Sequence, residues 1–306
     1  MRETSKFQGI FPAFYGCYAD DGSVSPERVK ALCAFLLSKG INGLYVCGSS
    51  GDCIYQTVTE RKLILENVME AVGGKIAVIA HVAANSISES QQLAKHAEAL
   101  GVDAIASIPP IYFHLPEAGI ARYWNAISEA APRTKFIIYN IPQLAGVALT
   151  PSLLQEMLKN PNVIGVKNSS MPVLDIQQWK IIGGDDFVVF NGPDEQYLGG
   201  RVMGADAGIG GTYGVMPELY VQLDALIRHR ELDRALKLQM RLNRLITMLC
   251  SGQGCMNAMI REVLKLRGIN IGPARSPMQP AKEDDQPLAW EIYQLILCTL
   301  KEEAAE

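Results

Sequence analysis

The sequence predicts an α/β fold: a (β/α)8 TIM barrel followed by a C-terminal helical extension. Three observations predict it. Eight short apolar runs alternate with amphipathic stretches over the first two thirds of the 306 residues. The runs carry almost no charge, the pattern of parallel strands that are buried on both faces. No shift in composition separates the eight units, and such a barrel takes about 250 residues before insertions. An open, doubly wound sheet is the competing reading, but it usually has fewer strands.

The expected strands, in order, are Gly9–Tyr15, Gly43–Cys47, Lys75–His81, Ala104–Ile108, Phe136–Asn140, Val163–Lys167, Phe187–Asn191 and Ala207–Gly211. The helices between them announce their starts. Thr57 with Glu60, and Ser86 with Glu89, each fit a capping box. Ser25-Pro26 and Thr150-Pro151 place a hydroxyl N-cap before a proline at the first helical position. Gly40, Gly73 and Gly101 mark helix ends, where glycine adopts positive φ at little cost. Past Pro217 the strand pattern stops. Helical periodicity covers 217–230, 231–250, 254–267 and 287–304, with a Pro- and charge-rich linker over 272–286. The expected division is a catalytic barrel over 1–230 and a helical extension over 231–306.

Composition narrows the function. The net charge is -4 and no basic stripe is present, which disfavours nucleic acid and anionic membrane as partners. No apolar run is long enough to span a bilayer, and the first residues lack the apolar segment of a signal peptide. The seven cysteines contain no CxxC pair and read as buried thiols in a reducing cytoplasm. Cys47 as a nucleophile is the alternative reading of one of them. The four histidines show no ligand spacing, so a metal-dependent aldolase is disfavoured.

In a barrel the chemistry sits at the C-terminal ends of the strands. The residues there are Gly48-Ser49-Ser50-Gly51-Asp52, then Pro109, Pro110 and Tyr112, then Tyr139-Asn140. Lys167-Asn168-Ser169, Asn191-Gly192-Pro193-Asp194-Glu195 and Gly210-Gly211-Thr212-Tyr213 complete the face. Lys167 is the sharpest signal, because it closes an apolar strand. A lysine at a strand end ordinarily snorkels to water. At the barrel mouth it loses hydration, which penalises the ammonium form and favours an amine able to attack a ketone. Tyr139 ends the neighbouring strand, so its phenol is placed to shuttle the proton; alone it would read as a packing residue. Ser49 and Ser50, flanked by glycines, make a cup for a small anion, or a plain turn. Asp194 and Glu195 fit the start of the next helix and also the binding of a polyol.

Together these motifs resemble the dihydrodipicolinate synthase and N-acetylneuraminate lyase superfamily. The resemblance rests on Gly48-Ser49-Ser50-Gly51-Asp52, Tyr139-Asn140-Ile141-Pro142 and Gly165-Val166-Lys167, and it extends over roughly residues 7–300. It implies a class I aldolase or lyase with pyruvate as the common half of its substrates, assembled as a homotetramer, with no metal or organic cofactor. Lys167 falls on the Schiff-base lysine and Tyr139 on the proton-relay tyrosine. Ser49 and Ser50 fall on the pair that holds the keto-acid carboxylate, and Tyr112 on the tyrosine that reaches a neighbouring subunit's site. Ser169, Gly192, Asp194 and Glu195 are the remaining expected substrate contacts.

The lysine-biosynthesis branch carries an arginine where this chain has Leu144. The departure looks like the N-acetylneuraminate lyase branch, as does Asn191-Gly192-Pro193-Asp194-Glu195. Two further departures are Gly211, where that branch usually has serine, and Asp52 in place of the usual glutamate. A 2-keto-3-deoxy sugar acid aldolase and a dihydrodipicolinate synthase-like enzyme are the alternatives within the superfamily. A non-catalytic pyruvate-binding barrel is the alternative from another class. A phosphosugar enzyme is disfavoured, because Gly208–Gly214 contains no arginine or lysine.

Overall fold

In the computed structural model, which describes residues 4–305, eight parallel strands form one sheet that curls on itself. They are β1 (Gly9–Pro12), β2 (Gly43–Val46), β3 (Ala77–His81), β4 (Ala104–Ser107), β5 (Lys135–Asn140), β6 (Val163–Asn168), β7 (Val188–Asn191) and β8 (Ala207–Gly210). Each matches one of the eight apolar runs to within a few residues. The hydrogen-bonded order is β1-β8-β7-β6-β5-β4-β3-β2. The seam between β1 and β2 is thinner than a full ladder. Ala13 and Tyr45 form an isolated parallel bridge there. Phe14 N donates to Tyr45 O (2.8 Å) and Asn42 N to Ile10 O (2.9 Å).

Around the barrel run α1 (Pro26–Leu37), α2 (Val58–Val72), α3 (Ile87–Leu100), α4 (Glu117–Glu129), α5 (Pro142–Ala145), α6 (Pro151–Met157), α7 (Leu174–Gly183), α8 (Tyr197–Val202) and α9 (Pro217–Arg228). Beyond them lie α10 (Leu232–Cys250), α11 (Met256–Leu266) and α12 (Gln286–Ala305), at the positions the periodicity predicts. The expected N-caps Ser25, Thr57, Ser86 and Thr150 accept the N–H groups of Arg28, Glu60, Glu89 and Leu153. The box at Thr57 is complete. At Ser86 the Glu89 carboxylate accepts the cap hydroxyl (3.1 Å). Gly40 and Gly101 take positive φ as expected, but Gly73 keeps φ −53 and its neighbour Gly74 makes the left-handed turn. In a Gly-Gly pair either residue can take it, so the turn falls one position later.

Two cores divide the apolar residues. One fills the barrel interior with Phe7, Phe11, Tyr45, Ile79, Ile137, Tyr139, Ile164, Phe190 and Ile209. The other lies between strands and helices and includes Leu44, Val46, Val78, Ile105, Ile138, Val163, Val166 and Val189. The cysteines are all free, but they are not uniformly buried. Cys17, Cys33 and Cys47 are buried, Cys53 and Cys255 half-buried, and Cys250 and Cys298 exposed. The two exposed thiols lie near the end of α10 and on α12, away from the apolar strand runs. Among the described residues no helix is long and apolar enough to cross a membrane.

Candidate active site

Lys167 owes its position to an irregularity in β6. Along this strand Val163 faces the helices, Ile164 the interior, Val166 the helices and Lys167 the interior. Strict alternation from Val163 would turn Lys167 outward. The register between β5 and β6 shifts at this point, pairing Phe136 with Val163 and then Ile137 with Gly165. One extra residue in β6 re-aims everything after it, the usual effect of a bulge. A side chain at Gly165 would collide with the carbonyl oxygen of Val188 on β7, so the bulge needs glycine.

After the shift, Tyr139 pairs with Lys167 and Asn140 with Asn168. The lysine is 5% exposed. Its Nζ lies 3.9 Å from the centroid of the Tyr139 ring and 4.2 Å from that of Tyr45. The two rings meet edge to face at 5.6 Å, and His81 packs edge-on against Tyr139 at 6.0 Å. Burial pushes the Tyr45 phenol well above its ordinary value. Burial, with the Arg61 cation alongside, holds the His81 imidazole well below its own. The His81 Nδ1 faces the Cys47 carbonyl oxygen (3.0 Å), and its Nε2 accepts the Ile108 N–H (3.4 Å). A carbonyl can only accept, so Nδ1 carries the hydrogen and the ring is neutral. Arg61 locks this strand end by donating to His81 O and Ala83 O, both at 2.6 Å.

Behind the lysine, Asn168 Oδ1 accepts from Asn140 Nδ2 (2.8 Å) and Trp179 Nε1 (2.9 Å). Asn168 Nδ2 donates to Ser170 Oγ (2.8 Å), which in turn donates to Asp175 Oδ2 (2.6 Å). Backbone pairing runs past the strand ends, from Ser169 N to Asn140 O and from Gly192 N to Asn168 O.

A cavity of 260 Å³ opens over Lys167. Of the expected residues it brings together Lys167, Tyr139, Ser49, Ser50, Ser169, Gly192 and Gly211. It also recruits Gln143, Met171 and Ile209, which the sequence does not mark as site residues, and Ile141 and Pro193, which it marks only as members of motifs. Ser49 and Ser50 sit in a single 3-10 turn (Ser49–Gly51), which a second (Cys53–Tyr55) follows. A side chain at Gly211 would come 3.1 Å from Ser50 Oγ, so the cup packs close against the glycine and would have to give way to a larger residue.

Three expected residues lie outside this lining. Asp194 is buried just behind it, where its Oδ2 accepts both the N–H and the hydroxyl of Thr212 at 2.6 Å. Burial raises its carboxyl to about 6, while those two hydrogen bonds and the nearby Lys167 pull the other way. Glu195 is exposed, and its backbone oxygen is held by Asn243 of α10 (3.1 Å). Both belong to the 3-10 turn Asp194–Gln196 that precedes α8 rather than to the helix itself. Tyr112 is 89% exposed with φ 78, stacked edge-on against the exposed Phe113. Leu144 is exposed as well.

Comparison with known proteins agrees with the fold. The dihydrodipicolinate synthetase family matches residues 6–294. An N-acetylneuraminate lyase of Mediterraneibacter gnavus is 56% identical over 297 residues, covering 97% of this chain and 94% of that one. A solved catalytic lysine mutant of Ruminococcus gnavus sialic acid aldolase superposes with a TM-score of 0.98 at 55% identity, covering 99% of both chains. CdNal from Clostridium difficile, solved in complex with mannosamine, gives 0.89 at 29% identity, covering 94% of this chain and 98% of that one.

Proposed function

We infer that this chain, which belongs to the dihydrodipicolinate synthetase family, is a carbon–carbon lyase that forms a Schiff base through Lys167 and splits N-acetylneuraminate into N-acetylmannosamine and pyruvate. The observation that carries the mechanism is the setting of the Lys167 amine. It is buried against two aromatic faces at the floor of a cavity lined with hydroxyls. Ser49 and Ser50 hold the carboxylate of the keto acid. The amine attacks C2, water leaves, and a protonated imine forms. The imine draws the electrons of the C3–C4 bond as the C4 hydroxyl gives up its proton. The aldehyde departs and an enamine remains. Protonation at C3 and hydrolysis then return pyruvate and the free amine. Tyr139, facing Lys167 across β5 and β6, relays the proton.

Two features support the substrate. Leu144 offers no cation for a second carboxylate, and Asp194 and Glu195 lie on the loop after β7, beside the lysine's strand. Both Thr212 donors go to Asp194 Oδ2, leaving the other oxygen to accept a substrate hydroxyl. On this reading the chain works in the cytoplasm as a homotetramer, in which the exposed Tyr112 reaches the site of a neighbouring copy. Exposed rings such as Tyr112 and Phe113 are apolar area that a partner would cover.

The test is trapping. Incubation with pyruvate and sodium borohydride should add the reduced pyruvate adduct to Lys167, located by mass spectrometry. Lys167→Ala should fold, take no adduct and lose turnover. Label on another lysine, or on none, overturns the mechanism. Release of pyruvate from 2-keto-3-deoxygluconate but not from N-acetylneuraminate overturns the substrate alone.

A further inference from the structure

The loop that carries Ser49 and Ser50 is held from within only by the backbone hydrogen bonds of short turns. Its two 3-10 turns are three residues each, and neither has a side-chain cap. They meet at Asp52, a non-glycine residue with φ 62 and ψ 26, in the left-handed region that aspartate tolerates better than most. The Asp52 carboxylate turns away from the cavity and is buried at 2% exposure. Three donors from outside the loop converge on it. Tyr18 Oη donates at 3.2 Å, Asn257 Nδ2 at 3.0 Å and an Arg261 guanidinium nitrogen at 3.1 Å. Asn257 and Arg261 lie one helical turn apart on α11, more than two hundred residues along the chain.

Both terminal nitrogens of the guanidinium are committed, while its Nε is buried without a hydrogen-bond partner. The nitrogen that meets Asp52 also donates to Gly16 O (2.9 Å), and the other terminal nitrogen spans Ile271 O and Gly272 O. Gln56 closes the circuit by donating to Tyr18 Oη (2.8 Å) and Gly51 O (2.7 Å). A buried ion pair is weak evidence for stability, because desolvation offsets most of its attraction. What it supplies is geometry: one orientation of Asp52, and through Asp52 one orientation of the cup.

We propose that Asn257 and Arg261 are positioning residues for the substrate carboxylate, acting through Asp52 to hold Ser49 and Ser50 in place. Neither lines the cavity over Lys167, so neither touches substrate. The proposal rests on the reading of the serine pair as the carboxylate cup. It makes the helices after the barrel a working part of the site.

The experiment separates the cup from the lysine by using two carbonyl compounds. Pyruvate has a carboxylate; acetone presents the same ketone without one. Borohydride trapping at Lys167 is measured against the concentration of each. Asn257→Leu removes one donor and leaves the ion pair. It should raise the pyruvate concentration for half-trapping by about tenfold, the worth of a hydrogen bond to a charged group, with acetone trapping unchanged. Arg261→Met strands the Asp52 charge and is at risk of not folding. The pair Asp52→Asn with Arg261→Met removes both charges while keeping a residue suited to the left-handed backbone, and should weaken pyruvate further, again sparing acetone. Parallel loss of pyruvate and acetone trapping overturns the proposal, as does a lowered melting temperature with pyruvate trapping intact. Failure of the underlying reading looks different: Ser49→Ala and Ser50→Ala would leave the half-trapping concentration of pyruvate unmoved.

Discussion

At the scale of single residues, the site is notable for what faces the lysine. Among the described residues no carboxylate pairs with Lys167; two ring faces do. A π face holds a cationic nitrogen without accepting a proton from it, which leaves the acid–base work to a hydroxyl. Tyr139→Phe keeps the ring and deletes that hydroxyl. It should lower kcat by about 10²–10⁴-fold while borohydride trapping of pyruvate persists. Near-normal kcat in steady-state assays would remove Tyr139 from the proton path. Asp194 yields a second expectation. Its carboxyl is raised to about 6 by burial, so it loses its charge below that pH. If its carboxylate accepts a hydroxyl of the polyol, kcat/KM for N-acetylneuraminate should fall as pH drops through about 6. Asp194→Asn should lie lower and lack that limb. The sign for stability is opposite. The native state keeps this proton longer than the unfolded chain, so the Asp194 contribution weakens as pH rises from 3.8 to about 6.

Among elements, β6 shows where reading a sequence stops. Its place in the barrel was legible because Val163–Lys167 is apolar and ends in one lysine. Its bulge was not, because parity cannot be seen in a run apolar on both faces. The same blindness hid Tyr45, His81 and Ile209, whose runs give no sign of which side chains point inward. Gly165 was read as part of a motif, whereas the structure shows it as the residue that permits the shift. Gly165→Ala should therefore act twice. Overpacking against Val188 should cost about 1–3 kcal/mol in urea unfolding, and the lysine should trap pyruvate more slowly in whatever fraction folds. An alanine variant with unchanged trapping would show that the lysine's direction does not depend on the bulge.

Across the whole molecule, the residues that closed an apolar run were the ones legible in advance: Ser49 and Ser50 just past the second, Tyr139 and Lys167 at the ends of the fifth and sixth. Asn257 and Arg261 were not, since no local pattern ties a helix near the chain's end to a loop near its start. That tie has a further consequence. Arg261 bonds Gly16 O beyond β1 and Asp52 beyond β2, so it straddles the barrel's thinnest seam, where one isolated bridge replaces a ladder. Contacts of such sequence separation form late, because the loop they close is long. A ribosome that has delivered residue 230 has delivered all eight strands, yet not the arginine that clasps them. Domains grow from the N-terminus during synthesis, at about 5–20 residues per second. Until α11 emerges, the nascent barrel has its strands in hand but only the few hydrogen bonds of the seam itself to join the first to the second.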